Sequence, residues 1–192
     1  MNVFLIGSSS DFATNIANEL QKEHNVYKFG RANLSYLDYD AMKEEFSKYP
    51  DPDIVIFNTH CPGGPQIDIS KKIANLHLLD ISQEFNEVFF NKLYLYDICK
   101  KANHFVFITS SVTLWHDDLG FERLMYRQLR ASEQQIMKCI AVDGKLSYGL
   151  CPGGMDEDPE KYATKVAQII LKQNKNLNGR VHLVGEILHW DE

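Results

Sequence analysis

Short apolar runs alternate along this chain with longer segments in which apolar residues recur at helical spacing. The run 54–57 contains no polar residue, which is typical of a strand in a parallel sheet covered on both faces. The segment 82–102 carries the apolar stripe of one face of a long helix. The predicted strands are 3–6, 25–29, 34–38, 54–57, 105–108, 145–150 and 181–184. The predicted helices are 12–20, 39–49, 82–102, 121–142 and 158–172.

This alternation predicts the α/β class, with a three-layer, doubly wound parallel sheet of about seven strands. The length of 192 residues suits a single domain over 1–192. Ligands of such sheets bind at the carboxyl ends of the strands, where the strand order reverses. Loops that follow strands should therefore lie along one edge. These loops begin near Gly7, Gly30, Asn58, Ser110 and Pro152.

The first strand-to-helix turn has the composition of an anion site. Gly7 ends the strand, serines fill 8–10, and Asp11 is predicted to cap the helix that follows. Turn amides and the helix dipole favour negative charge, and the expected occupant is the pyrophosphate of a dinucleotide. The alternative is a strand-to-helix turn that binds nothing. The turn residues assigned to cofactor binding are Gly7, Ser9, Ser10, Asp11 and Phe12.

Composition narrows the function classes. The net charge is −6 and no long basic run occurs, so we expect no nucleic-acid partner. No apolar stretch approaches the roughly 20 residues of a membrane span, and the first residues lack signal-peptide features. The 4 cysteines show no CxxC spacing, which favours reduced thiols and the cytoplasm. The 7 histidines show no HxxxH or HxH pairing, so no metal site is expected.

Several further motifs follow one another on the predicted elements. Asn58 lies within the segment 53–60, Thr-Ser-Ser follows the strand 105–108, and Tyr126-Arg-Gln-Leu-Arg130 lies on the helix 121–142. Cys-Pro-Gly ends the strand 145–150, and Asn-Gly-Arg-Val leads into the strand 181–184. In this order the motifs resemble those of the short-chain dehydrogenase/reductase family, single-domain type, over nearly the whole chain. The resemblance implies a Rossmann fold that binds NAD(P).

The chain departs from the family pattern at defined positions. Asp11 and Ala13 stand where the family's glycine-rich turn has its second and third glycines. The segment that resembles Asn-Asn-Ala-Gly retains only Asn58, and His60 replaces its glycine. The Tyr-x-x-x-Lys signature is degenerate, because Arg130 replaces the lysine.

The resemblance implies a catalytic role for four residues. Tyr126 would protonate the developing alkoxide, with its pKa lowered by a nearby cation. Arg130 would supply that charge and bind the ribose hydroxyls, but guanidinium cannot relay protons as lysine does. Ser111, or Ser110 beside it, would hydrogen-bond the substrate oxygen. Asn91 would hold a water or a backbone carbonyl in a proton path. The alternatives are that Tyr126 is an aromatic residue on the helix face and that Arg130 is a solvated charge. Likewise, Ser111 could bond to its own backbone, and Asn91 could face outward.

The resemblance also assigns cofactor contacts. Arg31 follows the second strand, where a base binds the 2′-phosphate, so NADP(H) is favoured over NAD(H). Asp38 would contact adenine, and the backbone of Asn58 and Thr59 would contact the adenosine side and the ribose. Further cofactor contacts are assigned to Pro152, Gly153 and Met155.

The implied function is an NAD(P)(H)-dependent oxidoreductase acting on a carbonyl/alcohol pair of a small-molecule substrate. The helices 82–102 and 121–142 would form a homodimer or homotetramer interface, as they commonly do in this family. The alternative is a catalytically weak dinucleotide-binding protein that serves as a redox sensor or scaffold. Arg130 favours it, and so does the shortened substrate-binding region between Gly153 and Asp158.

Overall fold

The computed structural model describes residues 1–30, 38–58, 91–109, 124–152 and 158–184. Within these ranges the strands are β1 Asn2–Ile6, β2 Asn25–Phe29, β3 Ile54–Phe57, β4 His104–Ile108, β5 Leu146–Pro152 and β6 Val181–Val184. The helices are α1 Asp11–Leu20, α2 Tyr39–Ser47, α3 at 91–98, α4 Leu124–Val142 and α5 Pro159–Lys172, and a 3₁₀ turn covers Lys175–Leu177.

The strands form one parallel sheet in the order β2-β1-β3-β4-β5-β6. This arrangement confirms the predicted doubly wound α/β fold. The described residues contain six strands, whereas about seven were predicted. The predicted segment 34–38 lies outside the described residues except for Asp38, which caps α2. The strand order reverses between β1 and β3, so the carboxyl ends of these two strands form the switch point.

Each face of the sheet is covered by helices, which gives the predicted three layers. On one face, α1 and α5 bury apolar side chains against alternate strand residues such as Val3 and Leu5. On the other face, α2, α3 and α4 cover Phe4 and Ile6. The alternation within β1 follows from the strand's period of two, and burial of both faces explains why β3 contains only apolar residues.

The predicted boundaries differ from the observed ones mainly where helices end. The helix predicted to reach residue 102 ends at 98, because residues 99–101 turn tightly and Ala102 N donates to Cys99 O at 2.8 Å. The start of that predicted helix, 82–90, lies outside the described residues, as does 121–123. No helix in the described ranges is long and apolar enough to span a membrane.

Three buried polar side chains on β4 and β5 have no hydrogen-bond partner in the described structure. They are His104, Ser147 and Tyr148. The His104 ring packs against the Tyr148 ring with centroids 5.2 Å apart. Because burial disfavours the charged imidazolium, it lowers the pKa of His104 from 6.5 to about 4.

The free energy of unfolding should therefore depend on the protonation of His104. The unfolded chain binds a proton near pH 6.5 but the folded chain does so only near pH 4, so stability falls as the pH drops between these values. We expect a loss of about 2 kcal/mol between pH 7 and pH 5 from this one group. Urea unfolding at both pH values measures this loss. In His104→Phe, the free energy of unfolding should fall by about 2 kcal/mol less than it does in the wild type.

Titrating carboxylates contribute equally to the wild type and to this variant, so the difference isolates His104. The control is His24→Gln, in the half-buried turn after α1, which removes a histidine away from β4. Equal pH dependence in the wild type and in His104→Phe would contradict the assignment.

Candidate functional site

Asn58 joins the two strands at the switch point. Its backbone amide donates to Ile6 O at 2.8 Å, and its side-chain Nδ2 donates to Gly7 O at 2.9 Å and to Ser10 Oγ at 3.3 Å. The residue is 1% exposed. The structure therefore brings together three of the predicted cofactor residues, Gly7, Ser10 and Asn58.

The first two amides of the turn hold the neighbouring strand. Gly7 N and Ser8 N both donate to Phe29 O, at 2.8 and 3.1 Å. Gly7 has a φ of 85°, a left-handed conformation that favours glycine. The role of Gly7 is thus to turn the chain, since its amide is already bonded to the end of β2.

Ser10 caps α1, so the prediction that Asp11 caps it was wrong. Ser10 Oγ accepts from Ala13 N at 3.1 Å, and Asp11 is the first residue of the helix, with an exposed side chain. Both residue types are good caps. The bond from Asn58 to the same Ser10 oxygen selects serine, because that oxygen faces the sheet.

Four amides at the start of α1 remain for a ligand. Those of Ser9, Ser10, Asp11 and Phe12 have no acceptor among the described residues. The first amides of a helix have no partner within the helix, and the dipole makes this end positive. The turn therefore has the donors and the field that a pyrophosphate requires.

A buried acceptor beside these amides also lacks a partner. Asn58 Oδ1 receives no hydrogen bond within the described structure, although Nδ2 of the same amide donates twice. A buried polar atom left without a partner costs about 1–3 kcal/mol. A ribose hydroxyl or an adenine amino group would supply the missing donor. The orphaned oxygen and the amides of α1 together fit a dinucleotide.

The end of β2 lies against the same turn. A Cβ built on Gly30 would approach Ser8 Oγ to 3.4 Å, so the chain passes close to the turn as it leaves β2. Arg31 follows directly but lies outside the described residues. Asp38 caps α2 through a 3.0 Å bond from Ala41 N to its Oδ1, and its predicted contact with adenine stays a prediction.

Asn91 and Arg130 are both buried, which excludes the alternatives in which they face solvent. Asn91 Nδ2 lies 3.7 Å from Met42 Sδ. Arg130 Nη1 donates to Glu133 Oε2 at 2.7 Å, and the side chain is 3% exposed. Glu133 Oε1 also pairs with Lys92 Nζ at 2.6 Å. Burial raises the pKa of Glu133, but Lys92 and Arg130 outweigh this effect and hold the pKa below its usual range.

Lys92 and Glu133 were not predicted from the sequence. The Arg130–Glu133 spacing of i,i+3 is a recognised helix pairing and was a usable signal. No signal marked Lys92, because a lysine in a long helix usually faces water.

Other predicted residues are placed only in part. Tyr126 lies near the start of α4, four residues before Arg130. Pro152 is the last residue of β5 and is buried. Thr109, two residues before the predicted Ser111, is buried with no partner for Oγ1 in the described structure. Those that lie outside the described residues are Arg31, Thr59, Ser110, Ser111, Gly153 and Met155. The described side chains contain no cluster that could hold a metal ion.

Solved dehydrogenase structures share this fold. A small-chain dehydrogenase superposes with a TM-score of 0.77 at 15% identity, covering 96% of this chain and 95% of that one. A small-chain dehydrogenase in complex with NADPH gives 0.74 at 15% identity, covering 96% of each chain. A short-chain dehydrogenase/reductase from Serratia marcescens gives 0.70 at 13% identity, covering 96% and 95%. No protein-family sequence profile and no curated protein sequence matches the chain. The likeness at this identity establishes the fold alone.

Replacing Asp11 with asparagine should strengthen the binding of a dinucleotide phosphate. Because Asp11 does not cap the helix, its exposed carboxylate repels an anion held at the start of α1. We expect Asp11→Asn to lower the Kd for NADPH about fivefold at low salt, or about 1 kcal/mol, with a smaller gain at high salt. Fluorescence titration at two salt concentrations measures this change.

The matched control is Glu19→Gln, which removes the same charge about 12 Å away near the other end of α1. It should leave the Kd unchanged. An unchanged or weaker affinity in Asp11→Asn at low salt would show that no phosphate lies at this turn.

Proposed function

We propose that this protein is an NAD(P)(H)-dependent oxidoreductase that interconverts a carbonyl and an alcohol on a small-molecule substrate. The observation that carries the proposal is the switch point, where four amides of α1 lie beside the orphaned oxygen of Asn58. The fold shared with solved dehydrogenases supports the same conclusion. A bound nicotinamide dinucleotide would supply the hydride chemistry.

The chain's own part is to move a proton and to stabilise charge on the substrate oxygen. Tyr126 gives its phenolic proton to that oxygen, and Ser111 donates a hydrogen bond to it. A tyrosine has an ordinary pKa near ~10, so a neighbouring cation is needed at neutral pH. Arg130 follows one helical turn after Tyr126 and is held in the ionised cluster with Glu133. Asn91, buried on α3, supports the proton path.

NADP(H) is the favoured cofactor. Arg31 follows β2 at the edge where the adenosine 2′ position of a dinucleotide lies in such folds. Gly30 lies close to Ser8, which brings the chain before Arg31 near the phosphate turn. No acidic residue stands at 30 or 31 to bind an unphosphorylated ribose.

One observation favours the alternative, a catalytically weak dinucleotide-binding protein acting as a sensor or scaffold. The carboxylate of Glu133 partly neutralises the positive charge of Arg130, so less of that charge acts on the pKa of Tyr126. A guanidinium also cannot pass a proton on. Turnover in that case would be slow while cofactor binding persisted.

The remaining proposals concern assembly and location. α3 and α4 carry the exposed apolar residues Leu93 and Val142, which supports a homodimer or homotetramer through these helices. The described thiols of Cys99 and Cys139 are free, which supports a cytoplasmic location.

Titration of the wild type with NADPH and NADH tests the cofactor assignment. NADPH should bind more tightly, because Arg31 pairs with the 2′-phosphate. Arg31→Ala should weaken NADPH about tenfold, or about 1.4 kcal/mol, and leave NADH within about twofold. Arg180→Ala, next to β6 at the far edge of the sheet, is the control and should change neither Kd. Absence of binding of both dinucleotides to the wild type at millimolar concentration would end the proposal.

Changing Tyr126 to phenylalanine tests the reaction. With NADPH and a panel of aldehydes and ketones, Tyr126→Phe should lower kcat at least about 100-fold, because the proton donor is lost. The Kd for NADPH should stay within about twofold. Tyr162→Phe, on α5 and the opposite face of the sheet, is the matched control. Undiminished turnover in Tyr126→Phe would exclude this mechanism, whereas tight NADPH binding with no turnover of any substrate would favour the alternative.

A further inference from the structure

Three ionised side chains meet in the interior between α3 and α4. One carboxylate, that of Glu133, binds Lys92 Nζ through Oε1 at 2.6 Å and Arg130 Nη1 through Oε2 at 2.7 Å. The exposed fractions of the three side chains are 1% for Lys92, 4% for Glu133 and 3% for Arg130. We call these three residues the ionic cluster.

Stability alone does not account for such an arrangement. Moving charges out of water costs several kcal/mol per ion, and well-packed apolar residues often stabilise a protein equally well or better. The position of the cluster in the chain is more informative. Lys92 follows Asn91 on α3, and Arg130 follows Tyr126 by one turn on α4. The Lys92–Glu133 pair therefore links the two helices that carry three proposed catalytic residues.

The geometry also fixes the orientation of one particular group. A guanidinium is planar and presents its five N–H donors in a rigid fork, so a bond to one donor sets the direction of the others. Glu133 holds Nη1 of Arg130 in this way. A lysine at position 130 would carry a single rotating ammonium and would not need such an anchor.

We propose that Glu133 is a positioning residue that, with Lys92, orients the Arg130 guanidinium toward the ribose on the nicotinamide half of the dinucleotide. This inference rests on the proposed function. Glu133 itself touches neither cofactor nor substrate in this arrangement. The adenosine half binds at the start of α1, at Asn58 and at Arg31, so its affinity does not depend on the ionic cluster.

The double variant Lys92→Met with Glu133→Gln tests the proposal. The wild-type cluster carries two positive charges and one negative charge, and the double variant keeps only the positive charge of Arg130, so the formal sum of +1 is unchanged. The glutamine oxygen still accepts from Arg130, but the charge-assisted bond and the link between the helices are lost. We expect NADPH to bind about tenfold more weakly. Because the net charge is unchanged, this loss would come from the changed orientation of the Arg130 guanidinium.

The second probe is 2′,5′-ADP, which contains only the adenosine half. Its Kd should stay within about twofold of the wild-type value in the double variant. Arg130→Met is the positive control and should weaken NADPH but not 2′,5′-ADP. Thermal unfolding of each variant, measured alongside, reports whether the fold is retained.

The outcomes separate the inference from the proposed function. Wild-type protein that binds neither probe removes the proposed function. Wild-type affinity for both probes in the double variant overturns the inference alone, and so does an equal loss of both probes accompanied by a lower Tm. Glu133→Asp keeps every charge and withdraws the carboxylate by one methylene, so it serves if the double variant does not fold. It should weaken NADPH at least about threefold and leave 2′,5′-ADP unchanged.

Discussion

The site depends on the hydrogen bonds that the side-chain amide of Asn58 makes. Its Nδ2 binds the carbonyl of Gly7 and the hydroxyl of Ser10, and the same hydroxyl accepts Ala13 N to begin α1. A single buried group thus ties the end of β3 to the turn after β1 and to the first turn of the helix. Each bond contributes only about 1 kcal/mol net, but losing the amide would leave several buried partners unsatisfied.

The backbone bonds of the turn decide which of its amides remain without an acceptor. The amides of Gly7 and Ser8 are held by Phe29 O, which fixes the turn against β2. The amides from Ser9 to Phe12 have no acceptor among the described residues, and they point from the positive end of α1. A turn whose amides all donated to the sheet would be rigid, but it would have no amide left to donate to an anion. Two amides thus hold the turn in place, and four without an acceptor among the described residues give it the donors that an anion site requires.

The sheet could be predicted from the sequence because its strands are buried on both faces. A run such as 54–57 admits few interpretations once helical segments flank it. The cap of α1 could not be predicted, because Ser10 and Asp11 are adjacent and equally suitable, and a bond from Asn58, 48 residues away, decides between them. The ionic cluster was missed for a related reason. Spacing showed that Arg130 and Glu133 could pair, but only the packing of α3 on α4 shows that they are buried and joined by Lys92.

Arginine at position 130 changes what the surrounding structure must provide. A buried lysine can lower its cost by losing a proton, whereas a guanidinium stays charged and must have an anion nearby. Glu133, one turn further along α4, supplies that anion through Oε2. Its other oxygen, Oε1, then needs a partner of its own. Nζ of Lys92, on α3, lies 2.6 Å from this oxygen and pairs with it. The carboxylate then stays ionised, because the two cations together outweigh the penalty of burying it. Glu133 therefore serves both cations, and loss of its carboxylate would remove an anion from two buried positive groups at once.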